Sequence, residues 1–325
     1  MAIEVIKPGL ATSVQDLGRP GYYHLGIPES GGMDRFALRA ANRLVGNDEG
    51  DAVLEATFQG PELRFRRDAL VAVTGAELPP LVDGVTQPTW TSFVVQSGQV
   101  LSFGFLKRGA RAYIAVAGGI DVPKVLGSRS TYALGALGGF AGRKLEAGDV
   151  LPIGATREAA PAGREVPAAL RLLPPSPGAL RVLPGLYDFR ITKASWEGFF
   201  SDTWRVATEA DRIGYRFRGG RPLEFVPRAQ PFGAGSNPSN IVDSCYPYGS
   251  IQIPGGSEPI ILHRDAVSGG GYFMIGTVIS ADMDLIGQMQ PNTPTCFVPV
   301  DMPTALEARR EAAERLAALR DSLTL

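Results

Sequence analysis

The stretch "TSFVVQSGQVLSFGFLKRGARAYIAVAGG" (residues 91–119) decides the fold class. It contains runs rich in Val, Ile, Phe and Tyr that end in glycine, a pattern typical of strands joined by tight turns. The run "ALVAVTGA" (69–76), a little earlier, has the same character. We therefore predict a mainly β protein, with a partly closed barrel or a sandwich in this half of the chain in place of a doubly wound sheet.

The composition of the whole chain agrees with this prediction. The 325 residues suffice for two domains, and 40 glycines and 26 prolines indicate many turns and short strands. With a net charge of −1 and scattered basic residues, the chain has no concentrated positive charge to bind a phosphate backbone. Nucleic acid is therefore not an expected partner. We expect a cytoplasmic protein, because the N-terminus begins as a strand and no apolar run approaches the roughly 18 residues of a membrane span.

The cysteines and histidines are too few and too widely spaced for a metal centre. Cys245 and Cys296 form no CxxC motif, which fits a reducing compartment, and His24 and His263 are the only histidines. No metal site is predicted.

The β-rich runs divide the chain into two halves. We predict an N-terminal β-rich domain over 1–153 and a C-terminal β-rich domain over 181–325 that ends in a helix. The segment 154–180 between them is rich in Ala, Pro and Arg and has no strand period, so it is predicted to be a linker or a surface excursion. Thr304 and Glu307 have capping-box spacing at the start of the terminal helix.

One helix stands out in the first half. In "GIPESGGMDRFALRAANRLVGN" (26–47) the apolar residues recur at helical spacing, which predicts a helix over 33–45 ended by Gly46, with Ser30 or a glycine as N-cap. Asp34 then lies in the first turn. Either its charge complements the helix dipole by about 0.3–1 kcal/mol, or it acts on a ligand bound at the helix N-terminus.

The loop "SVQDLGRPGYYHLGI" (13–27) leads into this helix and carries the polar side chains of Gln15, Asp16, Arg19 and His24. Loops held by rigid elements often carry binding groups. The alternative is a solvated loop in which Asp16 pairs with Arg19.

A second polar cluster is "HRDAVSGGGY" (263–272), preceded by Gln252. Three successive glycines allow a ligand to approach the backbone, or allow backbone N–H groups to form an anion nest. His263, Arg264 and Asp265 supply a base, a cation and an acceptor beside it. The alternative is a wide turn with a surface ion pair.

The chain lacks the sequence motifs of several common enzyme classes. The glycine-rich "GALGGFAG" (135–142) is followed by a turn and a strand, so it does not open the helix that a dinucleotide fingerprint requires. The chain has no GxxxxGK[ST], GxSxG or HExxH motif. This argues against the common classes of kinase, hydrolase and metalloprotease.

Several blocks together resemble one family. These are "SVQDLGRPGYYHLGIPESGGMDRFALRAANRLVGN", "VAVTGA", "YIAVAGGI", "GRKLEAGD", "RVLPG", "DRIGYRF", "GSIQIPGG" and "PIILHRD" with the glycine-rich text after it. In this order they resemble the allophanate hydrolase subunit 2 family, also called the biotin-dependent carboxyltransferase domain. It includes the C-type subunit of 5-oxoprolinase, the carboxyltransferase region of urea carboxylase, and Kip-type antagonists of a sensor-kinase inhibitor.

The resemblance implies a cyclophilin-like β-barrel architecture in two β-rich halves with a few helices. It also implies a subunit of a hetero-oligomeric enzyme that acts on a small amide, lactam or urea-like compound. The reaction is either ATP-dependent opening of 5-oxoproline to glutamate or carboxyl transfer from carboxybiotin to urea. A non-catalytic regulator that binds a Kip-type inhibitor is the alternative.

The same resemblance implies partners. The first is a protein similar to allophanate hydrolase subunit 1 or to the B-type subunit of 5-oxoprolinase. The chain has no biotin-attachment "MKM" sequence and no ATP-grasp domain, so ATP or carboxybiotin would come through partner subunits, with a biotin carrier and a third catalytic subunit as further candidates.

Two departures from the family pattern bear on the site. The family commonly has "SGPMD" where this chain has "SGGMD" (30–34), so a proline that would stiffen the helix start is missing. The text "RDAVSGGGY", together with "SNPSNIVDSCYPYGS" (236–250), is more similar to the urea-carboxylase pattern than to that of the 5-oxoprolinase C-type subunit.

The resemblance and the side-chain chemistry together give a site hypothesis. The predicted catalytic residues are Asp34, His263 and Asp265, and the predicted substrate-binding residues are Arg19, His24, Gln252, Arg264, Ser268, Gly270 and Tyr272. Asp265 or His263 would accept a proton, and Arg19 or Arg264 would hold an anion or carboxylate. The 268–271 backbone would cradle a developing oxyanion.

Overall fold

The computed structural model describes residues 3–157 and 159–324. Within these residues there are 20 β-strands and four α-helices, which confirms the mainly β prediction. The chain divides into two compact units. Unit 1 comprises residues up to 20, 29–173 and from 314 onward, and unit 2 comprises 21–28 and 174–313.

Unit 1 consists of two antiparallel sheets and one helix. Its strands are β1 (Ile3–Lys7), β2 (Ala11–Gln15), β3 (Val53–Thr57), β4 (Glu62–Phe65), β5 (Ala69–Glu77), β6 (Pro80–Val82), β7 (Val85–Thr86), β8 (Ser92–Val95), β9 (Val100–Phe103), β10 (Arg108–Val116) and β11 (Val150–Leu151). One sheet has the order β11-β1-β4-β9-β6-β7 and the other β2-β3-β10-β5-β8. The helix is α1 (Arg35–Leu44).

The five-stranded sheet of unit 1 is buried on both faces. Along β10, Ile114 and Val116 contribute to the core that contains residues of both sheets. The alternate residues Tyr113 and Ala115 pack with α1 on the other face. Successive side chains of a strand point to opposite faces. Two buried faces therefore explain why this part of the sequence is apolar without alternation.

Helix α1 begins and ends close to the predicted residues. Its N-cap is Asp34, whose side chain accepts a hydrogen bond from the Ala37 backbone N–H, so the prediction of Ser30 or a glycine as N-cap was wrong. At the other end Gly46 has a φ of +76°, the left-handed conformation in which glycine is favoured.

Unit 2 contains the remaining strands and helices. The strands are β12 (Gly178–Pro184), β13 (Trp204–Val206), β14 (Gly214–Arg218), β15 (Asn240–Cys245), β16 (Ser250–Gln252), β17 (Ile260–Leu262), β18 (Gly269–Tyr272), β19 (Met274–Val278) and β20 (Pro294–Pro299). The helices are α2 (Lys193–Ser201), α3 (Met283–Ile286) and α4 (Met302–Ser322). Strands β12-β19-β16-β17-β14-β13-β20 close a barrel, which confirms the predicted barrel, and β15 pairs with β18 in a separate ribbon.

Aromatic side chains fill one end of the barrel. The ring of Phe199 from α2 stacks on Phe297 of β20 with 4.8 Å between centroids, and Phe217 meets the same ring edge-on. The Trp204 indole N–H donates a hydrogen bond to the Phe199 carbonyl at 3.0 Å, so this fully buried indole is satisfied.

The terminal helix α4 contributes residues to both units. Ala305 and Ala308 are buried in unit 2, whereas Leu319 and, just after the helix, Leu323 are buried in unit 1. The helix begins before Thr304, and the Asp301 carboxylate accepts a hydrogen bond from the Thr304 N–H at 3.0 Å. Asp301 is therefore the cap, and the prediction of a capping box that starts at Thr304 was wrong.

The segment predicted as a linker is partly packed. Residues up to 173 belong to unit 1, where Val166 is fully buried, and β12 already begins at Gly178. The division into domains 1–153 and 181–325, with 154–180 between them, stays a prediction. Within the described residues, no helix combines the length and the apolar composition that crossing a membrane requires.

Candidate functional site

In unit 1 the two segments 15–19 and 29–34 approach each other closely, and we name this place the loop crossing. Gly18 and Gly31 both have a φ of +91°. A Cβ added at Gly18 would lie 2.7 Å from two backbone oxygens of the other segment, and one at Gly31 would lie 2.9 Å from the Gly18 nitrogen. Only glycine fits at these two positions.

Backbone hydrogen bonds join the two segments. The Arg19 N–H donates to the Glu29 carbonyl at 2.7 Å, and the Gly32 N–H donates to the Asp16 carbonyl at 2.9 Å. A proline at position 32 has no N–H and could not make the second bond. The glycine that departs from the family pattern therefore ties the helix start to the neighbouring loop.

The Asp16 carboxylate organises the first segment. Its Oδ1 accepts hydrogen bonds from the Gly18 N–H at 2.7 Å and the Ser128 hydroxyl at 2.6 Å. Its Oδ2 accepts one from the Arg129 N–H at 2.6 Å. The residues that satisfy Asp16 come from a distant part of the chain, and sequence analysis missed them because no local pattern marks them.

Arg19 is buried in the same loop, with 1% of its surface exposed. Its guanidinium donates to the Ser130 and Val125 carbonyls. Two other buried polar atoms in this region, Gln15 Oε1 and Ser30 Oγ, have no hydrogen-bond partner within the described residues. Buried polar groups are normally satisfied, so these two atoms are exceptions within the loop crossing.

Asp34 is both cap and part of a buried network. Its Oδ1 accepts from the Ala37 N–H at 2.9 Å, and its own N–H donates to the Tyr113 hydroxyl at 2.7 Å. Only 5% of the residue is exposed. The geometry shows the cap directly, and a catalytic role for Asp34 stays a prediction.

A buried carboxylate below the helix start completes this network. Glu55 Oε2 accepts from the Tyr113 hydroxyl and from the Met33 N–H, each at 2.8 Å, and Arg111 Nε lies 3.7 Å from Oε1. Burial, assisted by Glu55 and Asp34, raises the pKa of the Tyr113 hydroxyl well above its usual value. Sequence analysis missed Glu55, although a lone charge within the apolar text "AVLEA" (52–56) was a usable signal.

His24 belongs to the other unit. It is exposed in the short 3₁₀ turn Tyr23–Leu25, which is assigned to unit 2, whereas Arg19 and Asp34 belong to unit 1. The predicted role of His24 in substrate binding stays a prediction.

His263 in unit 2 is buried, and both of its ring nitrogens are engaged. Its Nδ1 accepts a hydrogen bond from the Arg264 N–H at 3.0 Å, which leaves the hydrogen on Nε2, where it is donated to the Met283 carbonyl at 3.1 Å. Only 1% of the residue is exposed. This arrangement favours a positioning role, and proton transfer by His263 stays a prediction.

The two residues after His263 are also buried. The Arg264 guanidinium lies 4.2 Å from the centroid of the Tyr248 ring. Asp265 accepts two hydrogen bonds from Arg212, at 2.8 Å from Nε and 3.2 Å from Nη2. Because Asp265 is only 6% exposed and Arg212 is partly buried, this is a bidentate pair around a buried carboxylate and not the surface ion pair considered as the alternative. Arg212 was missed, although it lies within the motif "DRIGYRF".

The three glycines of the second cluster form a strand. Gly269–Gly271 lie in β18 and none has a positive φ, so the predicted anion nest, which needs left-handed residues, is not formed there. Their backbone instead pairs with β15 in the ribbon.

Four predicted binding residues converge on Tyr246, which sequence analysis did not identify. The Tyr246 hydroxyl donates to the Tyr272 carbonyl at 2.6 Å and accepts from the Tyr272 N–H at 2.8 Å. Its N–H donates to the Ser268 carbonyl at 2.7 Å, and Gln252 hydrogen-bonds its hydroxyl. A Cβ added at Gly270 would lie 2.9 Å from its ring. Burial raises the pKa of this tyrosine.

Within residues 3–157 and 159–324, no three His, Cys, Asp or Glu side chains are grouped so as to hold a metal ion.

Comparison with known proteins places these features in a family. Residues 25–299 match the carboxyltransferase domain, subdomain A and B. The chain is 37% identical to urea amidolyase of Saccharomyces cerevisiae over 92% of its own length, but spans only 17% of that protein. It is 35% identical to the C-type subunit of 5-oxoprolinase of Escherichia coli, over 95% of this chain and 94% of that protein.

A solved structure shows the same fold. The urea carboxylase of Kluyveromyces lactis superposes with a TM-score of 0.91 at 34% identity, over 100% of this chain and 30% of that one. The family match, over residues 25–299, includes parts of both units. It contains segment 29–34 of the loop crossing and both strands of the ribbon. The chain therefore belongs to the carboxyltransferase domain family, subdomains A and B.

Proposed function

We propose that this chain is a subunit of a multi-chain enzyme of the 5-oxoprolinase type that acts on a small amide or lactam. The observation that carries the proposal is its end-to-end correspondence with the 5-oxoprolinase C-type subunit, 95% of one chain against 94% of the other. The resemblance to the 5-oxoprolinase C-type subunit therefore extends over nearly the whole of both chains.

The unit 1 site supports recognition of an amide. An amide group offers one donor and one acceptor, and the loop crossing region holds an unused acceptor at Gln15 Oε1 and an unused hydroxyl at Ser30. Leaving both unpaired when buried costs free energy, and a bound amide would recover it.

The unit 2 cluster supports proton transfer and orientation. Asp265, held in one orientation by two hydrogen bonds from Arg212, is the proposed proton acceptor. His263, with both nitrogens engaged, would position the adjacent Arg264 backbone. Ser268, Gln252 and Tyr272 would bind the ligand around Tyr246.

Carboxyl transfer to a urea-like amide is the second candidate. It is favoured by the 37% identity with urea amidolyase and by the 0.91 TM-score with urea carboxylase. The amide of Gln252 and the hydroxyl of Ser268 also suit the ureido ring of biotin, so the residues fit that group. When bound, carboxybiotin would supply the carboxyl group, while this chain would bind and orient the acceptor.

The proposed partners follow from the same relatives. They are a protein similar to the B-type subunit of 5-oxoprolinase and, for carboxyl transfer, a biotin carrier and a third catalytic subunit through which ATP or carboxybiotin is supplied. We also propose a cytoplasmic location, which the two free cysteines, Cys245 and Cys296, support.

The test is to reconstitute the chain with its partner subunits. ATP-dependent release of glutamate from 5-oxoproline is the expected result, and transfer of labelled bicarbonate to urea would support the second candidate. Asp265→Asn should abolish turnover while the complex still assembles, and the matched control Asp243→Asn, at an exposed residue of β15, should keep it. A stable complex without either activity would overturn both proposals and favour the regulator, which none of the relatives reported above supports.

A further inference from the structure

A buried arginine in unit 2 lacks an acidic partner. Arg190 closes the short 3₁₀ turn Asp188–Arg190 and is only 2% exposed. Its Nη2 donates to the Asn240 carbonyl at 2.9 Å and to the Pro238 carbonyl at 3.2 Å. Its Nε and Nη1 are buried without a hydrogen-bond partner in the described residues.

No carboxylate of the described residues forms an ion pair with Arg190, and the charged side chain that acts on it, Arg228, is of the same sign. Burial lowers the pKa of Arg190, and Arg228 lowers it further. Buried charges in native proteins are paired because an unpaired one is strongly unfavourable. An anion from outside the chain would supply the missing partner.

One of the carbonyls bonded to Arg190 comes from a long loop whose tip is exposed. Residues 227–239 contain no helix or strand, and the side chain of Phe232 is fully exposed. A Cβ added at Gly233 would meet no atom within 4 Å. The loop carries Arg228 and supplies the Pro238 carbonyl that accepts a hydrogen bond from Arg190, so it connects the two arginines.

We propose that Arg190 and Arg228 bind the carboxylate group of a small organic acid beneath the 227–239 loop. A planar carboxylate matches the N–H donors of a guanidinium and carries the single negative charge that the buried Arg190 lacks. Arg228, which is exposed, attracts the acid, and Arg190 holds it. This site goes beyond the proposed function and does not depend on it.

The test compares acetate with its neutral isostere acetamide on the full chain. Both are titrated at constant ionic strength while thermal unfolding is followed. Because a ligand that binds only the folded state stabilises it, acetate should raise the unfolding temperature saturably and acetamide should not. Equal effects of acetate and acetamide would overturn the proposal.

Variants assign the effect to the two arginines. Arg190→Gln should abolish the acetate effect, and Arg228→Gln should weaken apparent acetate affinity roughly tenfold, as expected for loss of one charge-assisted hydrogen bond. Arg216→Gln, at a barrel arginine of the same unit, is the matched control and should respond as the parent does. If Arg190→Gln fails to fold, Arg228→Gln decides, and an unchanged acetate response in that variant contradicts the proposal.

Trypsin gives an independent readout, because it cleaves after Arg228 within the loop. Acetate at saturation should slow cleavage at Arg228 severalfold, whereas acetamide should leave the rate unchanged. A rate that acetate does not alter would exclude binding beneath this loop.

Discussion

At the scale of single residues, Asp34 combines two properties that can be separated chemically. Its side-chain oxygen caps α1, whereas the predicted catalytic role would rest on its carboxylate charge. Asparagine caps helices about as well as aspartate but is neutral, whereas alanine does neither. The cap and the charge can therefore be removed one at a time.

Asp34→Ala should lower the free energy of unfolding by about 0.5–2 kcal/mol, and Asp34→Asn should leave it almost unchanged. If Asp34 is catalytic, both variants lose turnover in the reconstituted complex. Denaturant unfolding and the turnover assay are measured together. Thr192→Ala, which removes the N-cap of α2, is the matched control and should lower stability without loss of turnover. Full activity of Asp34→Asn would contradict the catalytic prediction and show that Asp34 acts only as the helix cap.

Tyr113 is expected to make the free energy of unfolding depend on pH in the alkaline range. Its folded-state pKa lies above its usual value of 10.0, so above about pH 10 the unfolded chain releases this proton while the folded chain retains it. Above pH 10 this one group should then lower the free energy of unfolding by about 1.4 kcal/mol per pH unit. Below pH 10 the tyrosine is protonated in both states and should contribute no pH dependence. Urea unfolding between pH 9 and 11 should show a shallower loss for Tyr113→Phe. Parallel curves for the two proteins would contradict this assignment.

At the scale of elements, the sequence predicted strands and α1 well because their cause is local. The run 110–117 is apolar at nearly every position because β10 is covered on both faces, and that property is visible without a structure. The glycines 269–271 show the limit. Their conformation as a strand depends on pairing with β15, which residue type alone does not specify.

Two adjacent glycines of β18 test the packing of the ribbon. A Cβ at Gly270 would lie 2.9 Å from the Tyr246 ring, whereas one at Gly269 would have no neighbour closer than 3.6 Å. Gly270→Ala should displace Tyr246 and lower stability by about 1–3 kcal/mol, as overpacking does, and Gly269→Ala should be nearly neutral. Chemical denaturation of the two variants measures the difference. Equal stabilities would show that the ribbon adjusts around Tyr246.

At the scale of the whole molecule, the terminal helix α4 matters to both units. Its first part is buried in unit 2 through Ala305 and Ala308, and its last part is buried in unit 1 through Leu319. Sequence analysis predicted the helix but not this division, since the sequence of a helix does not reveal which core each of its turns joins.

Leu319→Ala should lower the free energy of unfolding by about 2–5 kcal/mol, because this fully buried leucine leaves a cavity when truncated. Leu306→Ala on the same helix, where the leucine is 51% exposed, should change it by no more than about 0.5 kcal/mol. Thermal and denaturant unfolding provide the measurement. Similar losses for both variants would mean that the exposed side of α4 is covered in solution.

Sequence analysis identified some residues of the candidate site and missed others, because only contacts within one segment leave a local pattern. Asp265 and Gly270 stood out because unusual residue types cluster locally, whereas Arg212 and Tyr246, which hold them, come from other segments. Asp16 is the extreme case, since its hydroxyl partner Ser128 lies 112 residues away.

That separation has a consequence for how the site arises during synthesis. A nascent chain that ends before residue 128 contains every residue of the loop crossing, yet lacks the groups that satisfy the Asp16 carboxylate. The loop that carries Arg19 can therefore take its final shape only after the segment 128–130 has left the ribosome. A peptide that spans residues 1–50 would accordingly not form the folded loop crossing, although it contains the most recognisable part of the sequence.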